Sequence, residues 1–192
     1  MKLTIKTAIL FGVILLLLTA CNNQQPKYII GVSQCSEDVW RDRQNWEMKM
    51  ETNFHEGIEL RFAAALDVSE RQIHQIDSLV ESGINLLIVA PNQLSSVSSA
   101  IDRAYDKGIP VIVFERKTDT QNYTAYVSAD NYEMGRLMGE YVVSRLKGKG
   151  QVMEIFGLKG SSPADERHRG FNDALANYPD LQVSVTLQGD TT

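Results

Sequence analysis

A carboxylate and a guanidinium stand side by side at Glu115-Arg116. Planar Arg and carboxylate groups make paired hydrogen bonds well, so such a pair can donate to and accept from one polyhydroxylated ligand. The same two residues could equally form an exposed ion pair on a loop. What precedes them is Gly108-Ile109-Pro110-Val111-Ile112-Val113-Phe114. A helix-ending Gly, an X-Pro step and an apolar run predict a parallel strand over Ile109 to Phe114, buried on both faces. The charged pair therefore falls at the carboxyl end of a strand, where open α/β sheets bind ligands.

Other polar groups fall at similar places. Ser33-Gln34-Cys35-Ser36-Glu37-Asp38-Val39-Trp40-Arg41 offers hydroxyl, amide, carboxylate, indole and guanidinium groups within one turn and a helix start. Ser33, Gln34, Glu37, Trp40 and Arg41 are the binding candidates of this loop. An aromatic face can pack on the C–H surface of a sugar. The alternative for Trp40 is a place in the core. Pro91-Asn92-Gln93 supplies Asn92 after another strand. Gly157-Leu158-Lys159-Gly160-Ser161-Ser162 could turn backbone N–H groups toward an anionic or hydroxylated ligand, but it lacks the P-loop order. Asp165 to Arg169 read as a solvated helix start. His55, His74 and His168 have no metal-ligand spacing. No G-x-G-x-x-G, P-loop or G-x-S-x-G motif is present. A hydrolase built on Glu37, Asp38 or Glu115 would lack a base–nucleophile arrangement. Neither a metal nor a cofactor is expected.

The elements that must position these groups begin after a leader. Lys2 and Lys6 precede an apolar stretch, Ala8 to Leu18, closed by Leu18-Thr19-Ala20-Cys21. The stretch is too short to span a bilayer, which needs roughly 20 residues. Residues 1–21 read as a signal peptide whose end resembles a bacterial lipobox, placing a diacylglycerol on Cys21. An ordinary signal peptide or an uncleaved anchor are the alternatives. Residues 22–27 form a tether, and the product is periplasmic and membrane-anchored. The 192 residues are 43% hydrophobic and 22% charged with net charge -5, which suits a soluble globular body of one or two domains. No Lys/Arg block suggests a nucleic-acid partner. With Cys21 lipidated, Cys35 has no partner, so a disulfide framework is not expected.

From Tyr28 onward strand and helix patterns alternate. Strands are predicted at Tyr28–Ser33, Ile58–Ala65, Leu86–Ala90, Ile109–Phe114 and Tyr123–Ser128. Helices are predicted at Val39–Phe54, after a capping box at Ser69-Glu70-Arg71-Gln72, and through Val97, Ala100, Ile101, Ala104 and Tyr105. The connections imply a doubly wound parallel α/β sheet over residues 28–128. A second α/β unit then starts, residues 129–192: a helix to Lys147, a strand at Val152–Phe156, a helix at Pro163–Ala176 and a strand at Leu181–Leu187.

Together these residues resemble the type I periplasmic sugar-binding proteins, the family of the ribose-binding protein and the ligand domains of LacI-like repressors. The motifs are Ile30-Gly31-Val32-Ser33, Gly83 to Pro91, Lys107-Gly108-Ile109-Pro110-Val111, Ser128-Ala129-Asp130-Asn131, and Arg167 ahead of Gly170-Phe171. The resemblance implies a two-lobed fold that closes around a monosaccharide, without catalysis. It gives Glu115 and Arg116 the sugar hydroxyls, although most members have Asp at the first position. It makes Arg167 a ligand residue of the second lobe and Asp130 a hinge or pocket residue. Ser33-Gln34 followed by Trp40-Arg41 looks more like the galactofuranose-binding branch, which leaves a furanose ligand open. The sugar-sensing ectodomains of hybrid two-component sensors in Bacteroides-type bacteria look closer still, over Gly31 to Ser36 and Thr124 to Glu133. The implied partner is a fused histidine kinase or an ABC permease. A LacI-type regulator would need a helix-turn-helix where the leader stands. Against the family, the second lobe is incomplete, so this stretch alone is expected to bind sugar weakly or not at all.

Overall fold

Strand β1 (Tyr28–Gln34) sits between two later strands, and the rest of the first lobe is arranged around it. It is followed by α1 (Val39–Thr52), β2 (Ile58–Ala64), α2 (Ser69–Glu81), β3 (Leu86–Ala90), α3 (Ser98–Asp106), β4 (Val111–Phe114) and β5 (Ala125–Val127). The second lobe contains α4 (Asn131–Leu146), β6 (Gly150–Phe156), α5 (Ser162–Leu175) and β7 (Leu181–Gln188). The computed structural model describes residues 27–189; the leader, the lipobox and Cys21 lie outside them.

The first sheet has the order β2-β1-β3-β4-β5, every pair parallel. This is the doubly wound arrangement expected from the alternation of elements. Its core is aliphatic. Leu87, Val89, Val111 and Val113 are fully buried against Ile76 of α2 and Ile101 of α3. Full burial of one such side chain is worth roughly 1.5–3 kcal/mol, which is why these runs form the sheet.

Three expectations need correction. The strand predicted over Ile109–Phe114 pairs only from Val111, because Ile109 N–H still donates to Ala104 O at 3.2 Å and Pro110 has no donor. It is also not buried on both faces: Val111 and Val113 are, whereas Ile112 and Phe114 are half-buried. The capping box fails too. The N-cap of α2 is Val68 without a side-chain cap, and Ser69 is already helical. Its hydroxyl instead accepts from Asn92 Nδ2 at 2.9 Å. Finally, Tyr105 lies off the buried face of α3, at 41% exposure.

In the second lobe α4 and α5 meet backbone to backbone. A Cβ on Gly135 would lie 2.0 Å from Arg167 O, and one on Gly170 2.1 Å from Tyr132 O. Only glycine lets these helices approach so closely. β6 and β7 pair in parallel, with Met153 and Ile155 opposite Val185 and Leu187; all four are exposed.

Candidate functional site

The strand order opens a crevice. Because β1 lies between β2 and β3, the loops leaving β1 and β3 diverge, and ligands of open α/β sheets bind where they do. The loop after β1 is built by Asp38. Its carboxylate caps α1, accepting from Arg41 N–H at 2.9 Å and from the Ser36 hydroxyl at 2.8 Å. Burial pushes the Asp38 carboxyl up, but these hydrogen bonds and the Arg41 guanidinium hold it below its usual value.

The cap turns Arg41 inward, to 2% exposure. Its Nε donates to Ser36 Oγ at 3.3 Å, Nη1 to Gln44 Oε1 at 2.8 Å and Nη2 to Cys35 Sγ at 3.1 Å. Nη1 also forms an ion pair with the Glu115 carboxylate. Burial disfavours the Arg41 charge, but the Cys35 sulfur and the Glu115 carboxylate more than offset it and raise the pKa. Cys35 is a buried free thiol.

Glu115 adopts a left-handed backbone, φ 63°. For a residue with a Cβ this costs about 1 kcal/mol or more. The surroundings hold it there: Glu115 N–H donates to Val127 O at 2.8 Å, and its carbonyl accepts from Ser128 Oγ at 2.8 Å. The turn aims the Glu115 carboxylate at Arg41 and sets Arg116 beside it. Arg116 is 8% exposed, and Nη1 donates to Asn92 O at 2.9 Å.

Asn92 is fixed from behind by Gln72, which in the sequence pattern is only the last residue of a capping box. Gln72 is fully buried. Its Oε1 accepts from Asn92 N–H at 2.9 Å, and Nε2 donates to Ala90 O at 2.9 Å and Ser33 Oγ at 3.3 Å. Its spacing from Ile76 and Leu79 puts it on the apolar stripe of α2, and a Gln in that stripe was the available clue. Two buried polar atoms at the crevice, Gln34 Nε2 and Asn92 Oδ1, have no partner among the described residues. Each such orphan costs roughly 1–3 kcal/mol unless something else satisfies it.

From the second lobe, Arg167 Nε donates to Asn131 Oδ1 at 2.9 Å. Arg167 lines the same cavity as Glu115 and Arg116, of about 840 Å³. Its rim is polar, with Ser161 beside these three; its floor is apolar, with Met138, Val142, Val152, Phe156 and Phe171. The floor is the uncovered inner face of the second lobe.

The structure thus gathers Glu115, Arg116 and Arg167 at one rim, with Arg41 tied to Glu115 and Asn92 tied to Arg116. Ser33 and Gln34 are buried beneath the crevice; the Ser33 hydroxyl is taken by Gln72. Glu37 and Trp40 are exposed and do not line the cavity, and at 63% exposure Trp40 is not core either. Asp130 caps α4, its Oδ1 accepting from Glu133 N–H at 2.9 Å, outside the cavity lining. Among the described residues no group of His, Cys, Asp or Glu could hold a metal ion.

Residues 30–192 match the family model described as a periplasmic binding protein domain. The galactofuranose-binding protein YtfQ of Escherichia coli (strain K12) is 32% identical, over 85% of this chain and 52% of its own length. The xylitol-binding protein of Mycolicibacterium smegmatis is 28% identical, over 86% of this chain and 46% of its own. The chain therefore spans about half the length of the curated relatives it matches. Among solved structures, the fructose binding periplasmic domain of hybrid two component system BT1754 superposes with TM-score 0.81 at 41% identity. It is covered over 54% of its length, and 84% of this chain is matched. A galactofuranose binding protein gives TM-score 0.79 at 30% identity, covering 84% of this chain and 56% of its own. The parallel sheet, the crevice at the ends of β1 and β3 and these matches agree: the chain belongs to the type I periplasmic sugar-binding proteins.

Proposed function

We propose that this chain supplies the first lobe and part of the second lobe of an exported receptor that closes around a monosaccharide. The observation that carries the reading is that Glu115 and Arg116 of one lobe and Arg167 of the other line one cavity. A carboxylate and a guanidinium from one lobe, with a guanidinium from the other, match vicinal hydroxyls and a ring oxygen. Contacts from both lobes favour the closed state by their differential affinity, so binding and closure are one equilibrium. Gln34 Nε2 and Asn92 Oδ1 add an orphan donor and an orphan acceptor on the first-lobe side. Asp130 sits at the crossing between the lobes and acts at the hinge.

The sugar class is fructose or a furanose-rich hexose or pentose, by analogy with the ligands named for the relatives. Sensing for a fused histidine kinase is favoured over delivery to an ABC permease, because the sensor relative is 41% identical against 30% for the galactofuranose binding protein. The protein acts in the periplasm, held to the membrane through Cys21, and is not an enzyme. In the full-length protein, a membrane span and a kinase domain would mark the sensor, and two lobes without them the transporter component.

A thermal-shift screen of fructose, galactose, arabinose, ribose and xylitol on the full-length protein tests the reading. One of them is expected to raise Tm, and Arg116→Ala and Arg167→Ala are each expected to abolish the rise. Both variants keeping the full shift would refute the site assignment.

A further inference from the structure

Two side chains beside the rim join the lobes. Lys117 follows Arg116, and Glu166 precedes Arg167. Lys117 N–H donates to Ser162 Oγ at 2.7 Å, and the Lys117 ammonium pairs with the Glu166 carboxylate. Among the hydrogen bonds of the described residues, these two alone connect the first lobe to the second. Both originate from one residue, adjacent to one cavity-lining arginine and ending next to the other.

Their charges answer a problem at the site. Arg116 and Arg167 are both cations lining one cavity, and the Glu115 carboxylate beside them is committed to Arg41, so their like charges oppose a close approach of the lobes. A Lys–Glu pair one residue along on each side opposes that push without occupying the ligand's space. Glu166 is largely shielded, at 16% exposure, whereas Lys117 is 46% exposed. A half-exposed pair is weak and breakable, which suits a joint that must open and shut.

We propose that Lys117 and Glu166 are positioning residues for sugar binding: an interlobe latch that sets the spacing of Arg116 and Arg167. The proposal rests on the sugar-receptor reading above and adds what tunes its affinity. A latch held in the empty protein raises the fraction of binding-competent molecules, and apparent affinity follows that fraction.

The test uses the full-length protein with Lys117→Met, Glu166→Gln, both together, and the exchange Lys117→Glu/Glu166→Lys. Apparent Kd is measured for whichever sugar of the panel binds. The interlobe distance in the empty protein is read by paired labels at exposed Lys107 and Arg145. Each single change is expected to weaken binding about 3- to 5-fold and lengthen or broaden the distance, with no further loss in the double variant. The exchange is expected to restore most of the affinity. Distances unchanged in all variants, with Kd within about 1.5-fold of wild type, would reduce the pair to an inert surface contact. If no sugar binds the wild type, the receptor reading falls, while the label distances still decide whether the latch exists.

Discussion

Arg41 is the residue on which the first-lobe side of the site depends. Its guanidinium is almost wholly withdrawn from water and touches Cys35, Ser36, Gln44 and Glu115. Removing one member of a buried pair leaves the other uncompensated. Arg41→Ala is therefore expected to destabilise the protein by roughly 3 kcal/mol, read by denaturant unfolding. Arg41→Lys should recover only part of this, since an ammonium cannot reach four partners at once. Asp38 makes a prediction in pH. Its folded pKa is depressed, so its stabilisation is present above the ordinary carboxylate value near 3.8 and is lost as pH falls through the lower folded value. Asp38→Ala should cost about 1 kcal/mol at neutral pH through the lost cap. The Tm gap between wild type and variant should then narrow below pH 4; a gap independent of pH would contradict the charged cap. Neither role was visible in the sequence. Arg41 was legible as a candidate because it follows a strand end, but nothing in its neighbours showed that it would be buried and paired with a residue far along the chain.

Among the elements, the α4–α5 contact fixes the second-lobe half of the site. The Arg167 carbonyl lies against Gly135, so the helix that carries Arg167 is seated by the absence of a side chain on its neighbour. Gly135→Ala must drive the two helices apart. It is expected to lower stability by about 2 kcal/mol or more and to weaken sugar binding, because Arg167 moves with α5. Gly83→Ala is a useful contrast: no atom lies within 4 Å of the added methyl, so its cost, about 1 kcal/mol, comes only from the positive φ. The helices and strands themselves were largely legible, since Ile76, Leu79, Ala100 and Ile101 keep helical spacing and the strands are short apolar runs. What escaped was local chemistry. Ser69 and Gln72 have the spacing of a capping box, yet Asn92 and the end of β3 offered both side chains better partners inside the lobe. A local motif lost to tertiary hydrogen bonds, which single-residue patterns do not encode.

For the whole molecule, the two lobes differ in how well they cover themselves. The first lobe seals an aliphatic core between its sheet and helices, while the β6–β7 face keeps Met153, Ile155, Val185 and Leu187 exposed. Residues 22–192 prepared alone are accordingly expected to bind sugar weakly or not at all by calorimetric titration; tight binding would show that the described residues suffice. The parallel sheet was readable from the alternation of strand and helix patterns. The strand order was not, because β1 hydrogen-bonds to both β2 and β3 and no periodicity records which strands become neighbours. That order carries a consequence for assembly in time. β1 emerges first, but its contact with the β3 end closes a span of 56 residues, as between Ile29 and Asn85. Until the chain has been made through Ala90, one edge of the central strand stays unpaired and open to wrong partners. The loops that form the crevice belong to those same two strands, so the crevice is among the later features of the first lobe to form. Slow or interrupted folding should therefore be felt there before it is felt at the β4–β5 edge, where the pairing is local.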